Sequence, residues 1–395
     1  MKLAKKSVCT GCQACSNLCT QNAIKMKMNE EGFFFPRIDG NYCIKCEKCL
    51  QVCPEIRDDK CENRLTNVYA AFSEEESIRI NSSSGGIFTM LAAKIIENDG
   101  VVFGAEFGTD FSVKHSYIQD ISQIHKFRNS KYVQSFIGKS FRDCKNFLDD
   151  GKWVLFSGTS CQIEGLYQYL DKNYNKLITI DLICSGNTSP GLWEKYLQHM
   201  KTKYHSEIKD INFRDKKYGW DRFSLRISFT SGKEYRRILP NDPWAYFFLH
   251  HQALRESCYH CRYKKTTHRA DFTLGDFWGV QRTYPKLYDD KGLSFVMIHS
   301  QKGRKLWKKV NGIKAKEIPL KMVEEHNLAI IRSASRPENR EDFFADFSKM
   351  NFYELEKKYV NVPFWKKSNM IFDYYSRIRL HGGKIYRRLK KVMDK

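Results

Sequence analysis

The chain has 395 residues, 42% of them hydrophobic and 14% aromatic, with a mean hydropathy of −0.57. That composition excludes a disordered segment, a small scaffold in need of staples, and a membrane-spanning bundle. The most apolar window, Ile87 to Ile96, is interrupted by Lys94 and falls well short of the roughly 18 residues that cross a bilayer. The formal net charge is +22, and fourteen residues are cysteine. Met1 to Ser7 contains no apolar signal core, so the expected address is the cytoplasm, where cysteines serve metal or redox chemistry rather than a disulfide framework.

Eight cysteines fall in the first 60 residues as an internal duplication: Cys9, Cys12, Cys15 and Cys19 recur 34 positions later as Cys43, Cys46, Cys49 and Cys53. Between the runs, alternating Ile24, Met26 and Met28, a Glu31-Gly32 turn and the stretch Phe33 to Ile38 predict a hairpin. Beyond about Val68 the texture becomes strands and helices in alternation. Strands are predicted at Val68–Phe72, Val101–Phe107, Trp153–Ser157 and Leu177–Cys184, with helices at Gly86–Asn98, Ser140–Asp149 and Gln162–Leu170. This βαβ rhythm favours a mixed or parallel sheet. Ser189-Pro190 predicts an N-cap and first turn for a helix reaching about Lys203, and Ser224–Phe229 and Leu293–His299 read as later strands. The last 31 residues, from Trp365, hold ten Lys or Arg against two Asp. They read as a separate basic tail.

Cys-x2-Cys-x2-Cys wraps three corners of a 4Fe-4S cubane, and a fourth cysteine three residues later goes to the other cluster in bacterial two-cluster ferredoxins. The spacing therefore assigns Cys9, Cys12, Cys15 and Cys53 to one cluster and Cys43, Cys46, Cys49 and Cys19 to the other. The second run ends in Cys53-Pro54 as that pattern expects; the first ends in Cys19-Thr20. Structural zinc is the bland alternative, but zinc ribbons use separated Cys-x2-Cys pairs rather than extended triplets. The segment predicts single-electron transfer.

Four further cysteines are separated in sequence. Cys161 follows the strand 153–157 within Ser157-Gly158-Thr159-Ser160-Cys161-Gln162, Cys184 ends the strand 177–184, and Cys258-x2-Cys261 forms a pair. Ligands of α/β sheets gather outside the carboxyl ends of strands, so Cys161 and Cys184 can be neighbours, and the four together suffice for a third cluster. The alternatives remain a reactive thiol at a helix start, a small buried residue, or a zinc or redox pair at Cys258 and Cys261. Cys61 and Cys144 fit no pattern and read as structural thiols. Three clusters, each near −2 with its thiolates, lower the working charge to roughly +16. The excess still attracts an anionic cofactor, an acidic partner, nucleic acid or a membrane surface.

These residues carry a resemblance. Cys9 to Pro54, Ser84-Gly85-Gly86, Val102-Phe103-Gly104-Ala105, Ser130 to Ser135, Gly158 to Gln162, Asp181 to Gly186, Cys258-x2-Cys261, Ala270-Asp271 and Gly275 to Gly279 occur in that order. Over roughly residues 1 to 330 the chain resembles the coenzyme F-420 hydrogenase/dehydrogenase beta-subunit family, in the form with a fused N-terminal two-cluster ferredoxin. The resemblance implies an FAD-binding iron-sulfur oxidoreductase, the flavin converting single-electron transfer with clusters into two-electron exchange with a substrate. It also implies that Cys161, Cys184, Cys258 and Cys261 hold a third cluster near the flavin. Ser84, Gly85 and Gly86, at the start of a predicted helix, bring backbone N–H groups within reach of a phosphate, and Lys131, Tyr132 and Thr159 are the other candidate flavin contacts. A helix cap and a surface lysine are the plain alternatives. Asp276 and Trp278 are assigned to the surroundings of cluster or flavin, with packing an equal role for Trp278. Many relatives have proline at Ser160 and histidine at Ser185, so no proton-transfer role for that histidine and no relative's substrate is carried over.

The architecture expected is α+β and α/β: a bacterial ferredoxin-like domain at 1–62, a mixed α/β flavin and iron-sulfur body at 65–150 and 151–335, and a helical basic extension at 340–395. The function expected is an iron-sulfur flavoprotein oxidoreductase acting on a small-molecule substrate. The alternative is a non-catalytic electron-transfer subunit docking on a partner oxidoreductase. Either needs an electron-donor or electron-acceptor protein. Ile385, Leu389, Val392 and Met393 share one face of a basic helix that can rest on an anionic membrane, although a solvated helix is the default. No nucleic-acid partner is expected, since no recognition fold accompanies the charge.

Overall fold

The two cysteine runs fold alike. In the computed structural model, which describes residues 3–57 and 66–361, each run bends through left-handed residues at equivalent places. Gly11 and Gln13 have φ of 71° and 65°, and Lys45 and Glu47, 34 positions on, have 56° and 59°. Each run then leads into a short helix, Ala14–Leu18 or Lys48–Gln51. The duplication is thus one of backbone conformation as well as of cysteine spacing. Between the runs, β1 (Ile24–Met28) and β2 (Phe34–Ile38) form an antiparallel hairpin. Its turn is pressed into the body: Gly191 N donates to Gly32 O (3.0 Å), and a methyl group on Gly32 would lie 2.6 Å from Ser189 Oγ.

The body is a mixed sheet of eight strands. In chain order these are β3 (Asn67–Ser73), β4 (Val101–Phe107), β5 (Val113–Ile118), β6 (Val154–Thr159) and β7 (Leu177–Leu182). After β8 (Ile208–Asp215), β9 (Ser224–Phe229) and β10 (Glu234–Ile238), which pair elsewhere, come β11 (Phe272–Asp276), β12 (Ser294–Ile298) and β13 (Ile313–Glu317). The spatial order is β13-β3-β12-β11-β7-β6-β4-β5. The central run β11-β7-β6-β4 is parallel, and the flanking pairs are antiparallel. Helices cover both faces, which is why β4, β6 and β7 read as continuous apolar runs with Val101, Val102, Phe103, Val154, Leu155 and Phe156 fully buried. The parallel strands all end on one edge, at Phe107, Thr159, Leu182 and Asp276. That edge holds the site.

A second sheet, β8-β9-β10, is an antiparallel meander. It packs with the helix Pro190–Tyr204 around Trp193, Tyr196, Phe213 and Trp244. The helices Arg340–Phe347 and Phe352–Tyr359 add Phe343, Phe344, Phe347, Phe352 and Leu355 to the same core. So the segment from 340 to 359 is built into the body. The basic tail from Trp365 and Cys61 lie outside the described residues. No helix among the described residues is long and apolar enough to cross a membrane.

Element limits follow local chemistry. The helix predicted from Gly86 starts at Ile87 because Gly86, at φ 86°, is the left-handed residue before it. β7 ends at Leu182 rather than Cys184, so Cys184 stands in the loop beyond the sheet, while Ile183 N still donates to Leu274 O (2.9 Å). The strands β5, β8, β10, β11 and β13 have no counterpart in the sequence reading.

Candidate electron-transfer centre

The N-terminal cysteines surround two adjoining hollows. Cys9, Cys12, Cys15, Cys49 and Cys53 line the first with Met26, Pro36 and Glu55. Cys19, Cys43, Cys46 and Cys49 line the second with Leu18, Ile24 and Ile44. Burial pushes the Cys12 thiol up to about 12, and repulsion from Cys9 and Cys53 adds to it. Cys49 is raised by burial and then by Cys46, Cys43 and Cys19. The structure therefore brings Cys53 to the first run and Cys19 to the second. The left-handed residues between the cysteines form the kind of backbone nest whose N–H groups converge on an anion, an arrangement common at iron-sulfur sites. Cys9 and Cys12 of the first hollow are buried, whereas Cys46 of the second is exposed near Tyr42 and Ile44, each 64% exposed.

Cys161, Cys184, Cys258 and Cys261 line one further hollow with Thr10, Thr159, Gly186, Asn187, Ser257 and Tyr263. Cys161 occupies the first turn of the helix Ser160–Leu170, which is fixed by Thr159 N donating to Gln162 Oε1 (3.0 Å). Its thiol is held well above the usual range by burial and by Cys261, Cys184 and Cys258. Backbone amides already address the sulfurs: Gly186 N donates to Cys184 Sγ and Asn187 N to Cys258 Sγ, both at 3.3 Å. Ser257 Oγ is buried with no hydrogen-bond partner and lines the same hollow. Thiols raised in this way ionise only against a strong local positive charge, which an iron core supplies. Among the described residues, no three of His, Cys, Asp and Glu are grouped to hold a single metal ion.

The first and third hollows touch. Gly165, one turn beyond Cys161, packs on Cys12 so closely that a methyl group there would lie 2.9 Å from Cys12 Cβ and 3.0 Å from its sulfur. Thr10 lines both hollows. The residues after Cys53 are bonded to those after Cys261: Arg262 donates to Pro54 O (2.8 Å) and the Tyr263 hydroxyl to Glu55 Oε1 (2.7 Å). None of these bridging residues has a signal in the sequence, because each acts across more than a hundred positions.

The six residues expected at a flavin lie in two places. Thr159 belongs to the third hollow, its hydroxyl 3.2 Å from Cys161 Sγ. Ser84 Oγ donates to Leu293 O (2.7 Å) and Gly85 N to Ser294 Oγ (2.9 Å). Gly85 and Gly86 serve packing directly, since a methyl group on Gly85 would lie 2.4 Å from Ala71 O. Lys131 folds back so that its ammonium sits on the carbonyls of Lys126, Arg128 and Asn129 (2.7–3.3 Å), and desolvation lowers it to about 7. The Tyr132 hydroxyl accepts from Arg214 (2.9 Å), which also donates to Ser83 O and forms a two-pronged pair with Asp276. Trp220 donates to the same carboxylate and stacks on Trp278 at 4.9 Å. Lys216 reaches Ser84 O (3.2 Å) and is lowered by desolvation to about 7. The 83–86 loop, Tyr132, Arg214, Lys216 and Asp276 thus form one connected network, and the Lys131 ammonium, next to Tyr132 in the chain, bonds instead to carbonyls of its own loop. Ile183 packs on Gly275, joining that network to the third hollow. Arg214, near the end of β8, and Lys216, just beyond it, were not singled out from sequence.

A two-run cysteine domain joined to a mixed-sheet body with a further four-cysteine hollow defines an iron-sulfur electron-transfer protein. Residues 8–55 match the 4Fe-4S dicluster domain, and residues 151–326 match the C-terminal part of the coenzyme F420 hydrogenase/dehydrogenase beta-subunit family. The chain therefore carries the C-terminal domain of that beta-subunit family behind an N-terminal 4Fe-4S dicluster domain. Among solved structures it is similar to a chain of the F420-reducing NiFe hydrogenase complex from Methanosarcina barkeri, at 19% identity, over 69% of this chain and 91% of that one, with a TM-score of 0.46. No curated protein gives a significant match.

Proposed function

We propose that this chain is a cytoplasmic iron-sulfur flavoprotein oxidoreductase with three 4Fe-4S clusters in line. The outer cluster is held by Cys19, Cys43, Cys46 and Cys49, the inner one by Cys9, Cys12, Cys15 and Cys53, and the body cluster by Cys161, Cys184, Cys258 and Cys261. The observation that carries this reading is the packing of Cys12 on Gly165, one turn from Cys161. It leaves a protein-only gap across which single electrons pass without a mobile carrier. Exposure of the Cys46 loop makes it the entry or exit for a partner redox protein.

FAD is the cofactor that fits the network beyond Cys184. Lys131 and Lys216, both drawn out of solvent, sit near neutrality without an anion. Arg214 Nε has no hydrogen-bond partner. Anionic phosphates there would restore the lysine charges and complete the hydrogen bonding. Ser84, Gly85, Gly86, Lys131 and Tyr132 would hold it, with Thr159 toward the body cluster. When bound, a flavin supplies exchange between one-electron and two-electron chemistry. The protein's part is to exclude water, orient the cofactor and fix the positive charge beside it.

The second reading, an electron-transfer subunit with no flavin of its own, has one observation in its favour. Ser84, Gly85 and Lys131 already spend their hydrogen bonds inside the protein. Anaerobic purification with iron, sulfide and flavin quantified separates the two. About twelve irons with one FAD per chain supports the flavoprotein; about eight to twelve irons without flavin supports the carrier.

A further inference from the structure

Arg255 is fully buried, and among the described residues it forms no ion pair with a carboxylate. Its Nε donates to Cys9 O (2.7 Å), and one terminal nitrogen donates to Phe34 O and Gln134 Oε1 (both 3.1 Å). The other points at Cys9 Sγ, 3.6 Å away. Its guanidinium lies over the Phe35 ring at 4.0 Å. The backbone of the same residue builds the other site: Cys258 N donates to Arg255 O (2.8 Å), and Arg255 N donates to Asn187 O (2.9 Å). Asn187 N in turn addresses Cys258 Sγ. A permanent cation therefore stands between the inner and body cysteine groups and touches none of the outer one.

A buried guanidinium without a carboxylate is costly unless some other negative charge offsets it. Two thiolate-bound clusters, each near −2, are that charge. We propose that Arg255 is a positioning residue for electron transfer, its charge making the inner cluster, and more weakly the body cluster, easier to reduce than the outer one. The inference rests on the three-cluster reading above. One electron gained by the inner group is one lost by the outer group, and no bond or proton moves. The consequence is direction: electrons arriving at the exposed Cys46 loop are drawn inward.

The test is an anaerobic potentiometric titration of the whole protein followed by electron paramagnetic resonance, in wild type, Arg255→Gln and Arg255→Lys. Cys46→Ser identifies the outer step by perturbing it. Charge loss at this range in a partly desolvated interior is expected to reduce the reduced-to-oxidised ratio of the inner cluster, at a fixed applied potential, by about tenfold or more. In Arg255→Gln the inner step moves negative by that factor, the body step moves less, and the outer step stays. Arg255→Lys, which keeps the charge and loses the fork, stays within about threefold of wild type. Equal movement of all three steps, no movement, or a lysine variant shifted as far as the glutamine variant would overturn the inference. Fewer than three reduction steps in wild type would instead overturn the three-cluster reading.

Discussion

Gly165 has no side chain because Cys12 occupies the space that one would fill. In an ordinary helix Gly→Ala gains about 1 kcal/mol. Here Gly165→Ala is expected to push Cys12 aside and lower the iron content by about four per chain, measured by iron and sulfide assay; unchanged iron would mean that the helix yields instead. His115 tests the core in a different way. It is buried on the Phe156 ring, its Nε2 addresses Ser157 O (3.0 Å), and burial lowers it to about 4. The unfolded chain takes up this proton near pH 6.5 while the native one does not. Stability is therefore lost as pH falls from about 6.5 toward 4, by on the order of 3 kcal/mol in full. Denaturation midpoints of wild type and His115→Gln should converge, or cross, between pH 7 and pH 5. A constant difference would contradict the assignment. At this scale the two N-terminal cysteine runs were legible, because their spacing is local, whereas Cys161, Cys184 and the Cys258–Cys261 pair come together only through the fold. Arg255, Thr10 and Tyr263 were not legible, because their partners are supplied only by the fold.

Among the elements, β4, β6 and β7 were legible as apolar runs that need no partner to be recognised, whereas the buried β11 was not. Glu234–Ile238 and Ile313–Glu317, also missed, carry charged residues outward and are held by antiparallel neighbours. Their signal is the neighbour, not the segment. Ser189 shows both cases at once. Its role as N-cap before Pro190 is local, with Leu192 N donating to its hydroxyl (3.2 Å). Its second bond, from the hydroxyl to Glu31 O (2.7 Å) at the hairpin turn, has no sequence signal. Ser189→Ala therefore loses a cap and a bond between the ferredoxin segment and the body. We expect a loss of about 2 kcal/mol in chemical denaturation, at the high end for a cap. A loss of a few tenths would mean that the second bond contributes nothing.

Over the whole molecule, the ferredoxin segment is not an appended bead. Arg340 pairs with Glu31 (2.9 Å) and Glu256 (3.1 Å), joining the hairpin turn, the Cys258 loop and the C-terminal helices in one cluster. Arg142 donates to the carbonyls of Ser16, Asn17 and Cys19. These contacts keep the inner and body cysteine groups back to back, an arrangement that spacing alone could not show. The most direct test is the iron content of anaerobically prepared wild type beside the Cys258→Ser/Cys261→Ser double variant. Three groups of four predict about twelve irons falling to about eight, with the ferredoxin signals retained. Equal iron in the two proteins would contradict a third cluster in the body.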